Sequence, residues 1–262
     1  MLVDEAAASG SEKEPPRNVL PRKASSYGDH RYWDARFETE EHYEWLKEYS
    51  YFEHLIRPYL RSTHSILELG CGNSRLSEGL LAEGVNDITC IDLSAVAVQR
   101  MRCRLNEKGL QGIQVIQADM LELPFKSESF DLVIEKGTMD VLYVDSGDPW
   151  NPRSETVCRV MKMLKGVHKV LKLDGIFISI SFGQPHFRRQ QFEAPYFTWS
   201  VETKTFGEGF HYFFNILKKG RRSLDDKKVS TECCTVPRIS LFHDDLDDEN
   251  FLFRFDIDEL GI

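Results

Sequence analysis

Two glycines and three acids stand at intervals that suit the binding of one polar ligand. Gly70 and Gly72 follow an apolar run that ends beside Glu68, and Asp92 and Asp119 follow the next two apolar runs. Glycine lets the backbone approach a ligand where a Cβ atom would collide. A carboxylate at the end of the next strand can accept hydrogen bonds from ribose hydroxyls. The spacing therefore predicts a site for a nucleotide-containing ligand.

The glycine pattern also bears on which nucleotide binds. Dinucleotide sites prefer the pattern Gly-x-Gly-x-x-Gly, but the third residue after Gly72 is Arg75, which disfavours NAD. S-adenosylmethionine has no pyrophosphate, so its site can dispense with the third glycine. Glu68 then suits the cationic methionine end of this cofactor, Asp92 the ribose hydroxyls and Asp119 the adenine amino group.

Each acid also has a simpler interpretation. A carboxylate after a strand is commonly a helix N-cap or a turn residue. Three acids in register on the carboxyl edge of one open sheet instead favour a ligand site, because doubly wound folds bind their ligands at that edge.

The hydrophobic pattern predicts the elements that would form such an edge. Short apolar runs alternate with amphipathic helices, and the pattern closes with a hairpin. The predicted strands are residues 65–69, 88–91, 113–119, 130–134, 176–182, 199–205 and 210–217. The predicted helices are residues 73–83, with Asn73 or Ser74 as the cap, residues 94–106, with Ser94 as the cap, and residues 154–171. Five βα units closed by a hairpin predict an α/β fold, with a doubly wound, mostly parallel seven-stranded sheet and one antiparallel strand.

The composition excludes several classes of protein. The net charge of −9 and the pI near 5.4 disfavour direct binding of nucleic acid through phosphate contacts. No apolar run approaches the length of a membrane helix. The six cysteines contain no C-x-x-C pair, so no metal site is predicted. Several of them fall in apolar segments, which predicts buried free thiols in a reducing compartment, and we expect the protein to be cytoplasmic.

Four regions are predicted along the chain. Residues 1–26 are rich in Ala, Ser, Glu and Pro and predict a disordered leader without a secretion signal. Residues 27–60 form a helical, aromatic-rich segment, residues 61–220 the cofactor-binding domain, and residues 221–262 an acidic tail. The tail is interpreted as a solvated segment, with docking on the domain or on a basic partner as the alternatives.

The aromatic segment has two interpretations. Trp33 and Phe37 are four residues apart and would share one helix face, as expected for a helix that packs on the domain. The sharper interpretation is a lid whose rings cover the cofactor and exclude water. A sulfonium cation beside aromatic faces would gain about 0.5–2 kcal/mol. We call residues 27–60 the aromatic lid.

Taken together, the motifs resemble those of the seven-strand (class I) S-adenosylmethionine-dependent methyltransferases. They are Leu-Glu-Leu-Gly-Cys-Gly, Ile-Asp-Leu-Ser, Ala-Asp-Met, and Leu-Pro-Phe followed by Phe-Asp-Leu-Val. More narrowly, Tyr-Trp-Asp-x-Arg-Phe from residue 32, Gly-Cys-Gly-Asn-Ser from residue 70, Glu-Lys-Gly-Thr-Met-Asp from residue 135 and Pro-His-Phe-Arg from residue 185 are similar to the protein lysine methyltransferases that act on translation elongation factor 1-alpha. The resemblance implies a Rossmann-like methyltransferase fold, S-adenosylmethionine as cofactor and this elongation factor as protein substrate. We expect the enzyme to be a monomer.

The resemblance also implies which residues contact the cofactor. The family's contact positions are occupied here by Trp33, Phe37, Trp45, Gly70, Asp92, Leu93, Asp119, Met120 and Lys136. Phe37 replaces the tyrosine expected at its position, so no hydroxyl contact is available there.

Two further acids flank the turn after the fourth strand. Glu135 and Asp140 are candidates to hold the ammonium of a target lysine, with a local ion pair to Lys136 as the simpler interpretation. His186 is a candidate to line a substrate channel, although a lone histidine is more often structural. The chain has no Asn-Pro-Pro-Tyr or Asp-Pro-Pro-Tyr element after the fourth strand, which disfavours methylation of nucleic-acid bases.

Two other functions remain open at this point. A small-molecule methyltransferase of the same fold would usually enclose its substrate under a larger cap, for which residues 143–152 and the hairpin are the candidates. A catalytically silent scaffold would bind the cofactor and act through protein contacts. The filled binding positions speak against the scaffold, but binding and turnover are separable properties.

Overall fold

The computed structural model describes residue 21 and residues 23–222, which contain a seven-stranded sheet. The strands are β1 (Ser65–Leu69), β2 (Asp87–Asp92), β3 (Ile113–Gln117), β4 (Phe130–Lys136), β5 (Leu171–Ser181), β6 (Ser200–Phe206) and β7 (Tyr212–Lys218). Their order is β3-β2-β1-β4-β5-β7-β6, and β7 runs antiparallel to both of its neighbours while the other pairs are parallel. The predicted α/β fold with one antiparallel strand is therefore confirmed.

Helices cover both faces of this sheet. They are α1 (His30–Thr39), α2 (Tyr49–Ile56), α3 (Leu76–Ala82), α4 (Ala95–Glu107), α5 (Ser154–Val170) and α6 (Pro185–Phe192). Apolar side chains of α2, α3 and α4 form one buried cluster on the sheet, and those of α5 and α6 form a second cluster on the opposite face. The sheet is thus buried on both sides, as its nearly continuous apolar strands require.

The strand order brings the predicted site residues to one edge. In the register, Leu69 at the end of β1 stands between Ile91 of β2 and Glu135 of β4. The strand order reverses between β1 and β4, and such a switch point is where doubly wound sheets bind ligands. The glycine turn that follows β1 therefore begins at the switch point.

Some predicted boundaries were wrong. The helix after the glycine turn begins at Leu76 and not at residue 73, because the Ser74 hydroxyl accepts the Leu76 N–H and residues 70–75 form a turn. Strand β5 begins at Leu171 and not at Ile176, because the chain becomes extended directly after α5 and a bulge restores the register with β4. Strand β3 ends at Gln117, so Asp119 lies in the following loop.

The aromatic lid forms two helices, α1 and α2, joined by residues 40–48, which we call the lid loop. Leu46 and Lys47 in this loop have φ angles of 58° and 82°, in the left-handed region that residues with side chains rarely adopt. The predicted division into four regions stays a prediction, and most of the leader and of the acidic tail lies outside the described residues.

The cysteines and helices of the described residues bear on two further expectations. Cys71 and Cys90 are buried free thiols, as predicted, whereas the free thiol of Cys103 is exposed. No helix between residues 23 and 222 combines the length and apolar character needed to cross a bilayer.

Candidate active site

A cleft of about 230 Å³ opens between the aromatic lid and the carboxyl edge of the sheet. Twelve predicted site residues line it, namely Trp33, Phe37, Trp45, Glu68, Gly70, Gly72, Asp92, Leu93, Asp119, Met120, Lys136 and Asp140. Glu135 and His186, the other two candidates from the sequence, do not line this cleft. Segments far apart in the sequence thus meet around one cavity.

Both glycines of the turn after β1 are required by close contacts. Gly70 has a φ of 63°, and a Cβ atom there would lie 2.3 Å from the Thr138 side chain. Gly72 has a φ of 48°, and its Cβ would lie 3.1 Å from the Phe37 ring. The Thr138 hydroxyl also donates to the Leu69 carbonyl at 3.1 Å, which joins the turn after β4 to the turn after β1. A side chain at either glycine would therefore displace the cleft wall.

Asp92 organises the next turn. One carboxylate oxygen accepts the Gly72 N–H at 2.8 Å, and the other accepts the Ser94 N–H at 2.8 Å. Ser94 caps α4 by accepting the Ala97 N–H, as predicted, and its hydroxyl donates to Asp34 of the lid. Burial raises the pKa of Asp92, while the hydrogen bonds from the backbone lower it. Each oxygen keeps a second lone pair that can accept a ligand hydroxyl.

Glu68 lies on the floor of the cleft with 3% of its surface exposed. Its carboxylate accepts the Cys90 thiol at 3.3 Å. Burial raises the pKa of Glu68 to about 7, and the nearby charge of Lys136 opposes that increase. A cationic ligand group beside Glu68 would favour the ionised carboxylate.

The rings of the lid pack on one another above the cleft. Trp33 stacks on Phe37 with centroids 5.8 Å apart and meets Trp45 edge to face at 5.6 Å. The Trp33 indole N–H donates to the Tyr27 carbonyl at 2.7 Å. The Arg36 guanidinium lies 5.0 Å from the Trp45 ring centroid. These contacts hold three predicted cofactor residues as one apolar wall.

Three further predicted cofactor residues, Leu93, Asp119 and Met120, lie in the loops after β2 and β3 and line the cleft. Asp119 accepts the Leu121 N–H at 2.8 Å, which shapes the loop after β3, and Met120 follows it in that loop. Leu93 lines the cleft and is 54% exposed, although it is a large apolar side chain. An apolar side chain exposed inside a cleft is suited to contact a planar ligand group.

The two acids predicted to act in catalysis occupy different places. Asp140 lines the cleft and accepts the Ser181 hydroxyl at 2.6 Å and the Arg188 guanidinium at 3.0 Å. Glu135 is fully buried beneath it and accepts the Met139 N–H at 2.9 Å. Burial and the charge of Asp140 raise the pKa of Glu135 to about 8. The structure therefore corrects the predicted direct contact of Glu135 with substrate, because this carboxylate is sealed from the cleft.

The alternative interpretation, a local ion pair between these acids and Lys136, is also corrected. Lys136 pairs with neither Glu135 nor Asp140, because its ammonium donates to Glu44 at 2.9 Å and to the Trp45 carbonyl at 2.6 Å. His186 lies outside the cleft lining and stacks on the exposed Trp150 ring, with centroids 4.9 Å apart.

Two charged residues that no sequence pattern predicted, Glu44 and Arg104, position the glycine turn. Glu44 accepts the Arg75 N–H at 2.6 Å and the Ser74 hydroxyl at 2.8 Å. Arg104 of α4 donates to the Asn73 carbonyl at 2.8 Å and to the Ser74 carbonyl at 2.5 Å. Both contacts join segments about 30 residues apart, so no local spacing pattern predicts them.

The fold and the site together define a class of protein. A seven-stranded sheet with one antiparallel strand, a glycine turn after β1 and an acid after β2 are shared with methyltransferases that use S-adenosylmethionine. Residues 60–220 match the family model described as a methyltransferase domain. The chain belongs to the class I S-adenosylmethionine-dependent methyltransferases, and S-adenosylmethionine is its cofactor.

The curated relatives make the comparison more particular. The chain is 38% identical to the EEF1A lysine methyltransferase 4 of Bos taurus, over 89% of this chain and 93% of the relative. It is 36% identical to the protein of the same name from Mus musculus, over 91% and 94%. The eEF1A lysine and N-terminal methyltransferase of Bos taurus is 32% identical over 64% of this chain, which corresponds to 24% of that longer protein.

Solved structures agree on the fold. A methyltransferase bound to its Trm112 activator, from Haloferax volcanii, superposes with a TM-score of 0.51 at 14% identity, over 71% of this chain and 93% of that chain. The PH0226 protein of Pyrococcus horikoshii superposes with a TM-score of 0.50 at 17% identity, over 65% and 89%. At these identities the likeness concerns the fold alone.

The cleft residues fit the cofactor of this class. The turn at Gly70 and Gly72 leaves a space that a Cβ atom would narrow, and the ionised form of Glu68 complements a cationic amino-acid moiety. Asp92 has acceptor capacity for hydroxyls beyond its two backbone bonds. We propose that eleven of the lining residues named above form the cofactor site and that the twelfth, Asp140, lies at its substrate side.

The raised pKa of Glu68 leads to a prediction about binding. Below about pH 7 the buried carboxyl is protonated, so a cationic ligand must first displace its proton, and binding should weaken as the pH falls. We expect the affinity for S-adenosylhomocysteine, which carries the same ammonium, to drop about fivefold to tenfold between pH 8 and pH 6. Isothermal titration calorimetry measures it. In Glu68→Gln the affinity should be lower and nearly independent of pH over this range; an unchanged pH profile in that variant would rule out Glu68 as the cause.

Proposed function

We propose that the chain is a protein-lysine N-methyltransferase that acts on translation elongation factor 1-alpha. The observation that carries this proposal is the similarity to the EEF1A lysine methyltransferase 4 proteins, which extends over about nine tenths of both chains. Because the match includes the aromatic lid and β6–β7, it reaches well beyond the cofactor-binding core that all class I members share.

The arrangement at the substrate side supports binding of an amine substrate that arrives as a cation. Asp140 presents a buried carboxylate to the cleft, fixed by Ser181 and Arg188. In this proposal Asp140 holds the amine of the target lysine in line with the methyl donor. Glu135 is a positioning residue in this proposal. It accepts the Met139 N–H and so holds the turn after β4, and its charge interacts with that of Asp140.

The chemistry places modest demands on the protein. Bound S-adenosylmethionine supplies an electrophilic methyl group on a sulfonium. A lysine with the ordinary pKa of about 10.4 must lose its proton to solvent before it attacks, at a cost on the order of 4 kcal/mol at neutral pH. Burial in the apolar part of the cleft lowers the pKa of that lysine, so a dedicated base is not required. Orientation of donor and acceptor can contribute about 7–11 kcal/mol, which outweighs base catalysis.

The test is transfer of labelled methyl groups from S-adenosylmethionine. The protein is incubated with a cytosolic extract and, separately, with purified elongation factor 1-alpha, and the labelled residue is mapped by mass spectrometry. We expect one labelled protein at the mass of the elongation factor, with the label on a lysine side chain. Asp92→Ala protein in the same assay is the control and should transfer no label.

Other outcomes would overturn the proposal in different ways. Label in small molecules would establish a small-molecule methyltransferase of the same fold. Label on a different protein would retain the reaction and replace the substrate. Tight binding of S-adenosylhomocysteine without any transfer would establish a scaffold.

A further inference from the structure

A buried ion pair joins the aromatic lid to the sheet. The Lys136 ammonium lies 2.9 Å from a Glu44 carboxylate oxygen, and the two side chains are 5% and 8% exposed. Lys136 lies at the end of β4, and Glu44 lies in the lid loop. The same ammonium donates to the backbone carbonyl of Trp45 at 2.6 Å. Lys136 therefore also fixes the backbone of a residue whose ring forms part of the cleft wall.

Glu44 also holds the glycine turn. Its second oxygen accepts the Arg75 N–H at 2.6 Å, and the oxygen that meets Lys136 also accepts the Ser74 hydroxyl at 2.8 Å. The lid loop, the glycine turn and the end of β4 are distant in the sequence, and they meet at this one carboxylate. Glu44 itself does not line the cleft, whereas Trp45, Ser74 and Lys136 do.

The charges around this carboxylate are unequal in number. Lys136 is attracted to Glu44 and, at longer range, to Glu68, so one buried ammonium serves two buried carboxylates, and the charge of Arg104 has a smaller effect on Glu68. While Lys136 is paired with Glu44, the Glu68 carboxylate remains available to another cation. The hydrogen bond that Glu68 accepts within the protein comes from the neutral Cys90 thiol. Without the carboxylate of Glu44, the buried Lys136 would be left with the longer-range attraction of Glu68.

We propose that Glu44 is a positioning residue for cofactor binding, which holds Lys136 and the lid loop in place and so leaves Glu68 available to the cofactor's ammonium. The left-handed backbone at Leu46 and Lys47, directly after the clamped residues, fits this role. Backbone in that region persists only where the surrounding contacts enforce it. Loss of the clamp frees the loop to relax and frees Lys136 to turn to Glu68.

The proposal is tested through cofactor release, which needs no protein substrate and so does not depend on the lysine specificity proposed above. Stopped-flow fluorescence measures the dissociation rate of S-adenosylhomocysteine for the wild type, Glu44→Gln, Lys136→Met and the double variant. Glu41→Gln removes the same charge from an exposed position on the same loop and is the matched control. Thermal unfolding is recorded for every variant, and rates are compared well below the lowest melting temperature.

We expect Glu44→Gln to release S-adenosylhomocysteine at least about 10-fold faster than the wild type, while Glu41→Gln does not. Lys136→Met in the Glu44→Gln background should slow release again, because the competing ammonium is gone. A release rate for Glu44→Gln equal to that of Glu41→Gln would overturn the proposal. So would a double variant that releases as fast as Glu44→Gln or faster, since the two effects would then be independent and Lys136 would not compete for Glu68.

Discussion

Asp92→Ala is expected to lower the affinity for S-adenosylmethionine by at least about 100-fold while leaving the sheet intact. The carboxylate is the acceptor for the Gly72 and Ser94 N–H groups, and these two bonds set the turns after β1 and β2. Hydrogen bonds to a charged group contribute about 1.5–3 kcal/mol each, and two ribose hydroxyls would add bonds of the same kind. Alanine removes the acceptor for both sets of bonds.

Calorimetry with S-adenosylmethionine and S-adenosylhomocysteine measures this loss. Asp87→Ala is the control, because Asp87 begins the same strand at the opposite edge and is exposed. Asp92→Asn keeps one acceptor oxygen and should bind with intermediate affinity. If Asp92→Ala bound the cofactor with an affinity within tenfold of the wild type, this result would contradict the proposed cofactor site.

Asp140→Asn is expected to lower kcat by about 10²- to 10³-fold with little change in cofactor affinity. Asp140 presents the carboxylate of the turn after β4 to the cleft, so its charge acts on the substrate amine and not on the cofactor. Ser181 and Arg188 donate to the same Asp140 oxygen, which asparagine keeps, but asparagine removes the negative charge. The buried Arg188 is then left without a compensating charge, which costs about 3–5 kcal/mol of stability. Activity must therefore be measured below the melting temperature of the variant.

Two further variants separate catalysis from folding. Asp140→Asn combined with Arg188→Met removes the buried charge as well, and we expect it to recover stability but not kcat. Glu135→Gln changes the neighbouring acid that is sealed from the cleft, and it should retain kcat within about threefold. If Glu135→Gln lost activity as completely as Asp140→Asn while remaining folded, Glu135 and not Asp140 would be the acid that acts on the substrate.

Most of the fold was predictable because its signals are local. Apolar runs of strand length, the Ser94 cap and the Gly70–Gly72 turn each depend on neighbouring residues, and the structure confirms them. The boundary errors have a local cause too. Residues 171–175 carry Lys, Asp and Gly and do not look like a strand, yet they extend β5 through a bulge that only the pairing with β4 makes favourable.

The charges of the site were less predictable. Glu68, Asp92, Asp119 and Asp140 line the cleft, as expected for acids near the ends of parallel strands that meet at one edge, and their contacts with ligands stay predictions. Glu135 was expected there by the same logic, but it lies within β4 and its fully buried side chain does not line the cleft. The partner of Lys136 was also wrong, since Glu44 lies more than 90 residues away.

The sequence by itself determined the class of fold, the cofactor edge and twelve of the residues that line the cleft there, because strand and turn propensities and the parallel register act over short distances. Only the tertiary structure decided which charges meet across the lid. The contacts of Glu44 with Lys136, of Arg104 with the glycine turn and of Asp140 with Arg188 depend on how helices and loops from distant segments pack. Burial then sets the pKa of Glu68 and Glu135, and burial is a property of the packed chain and not of the residue.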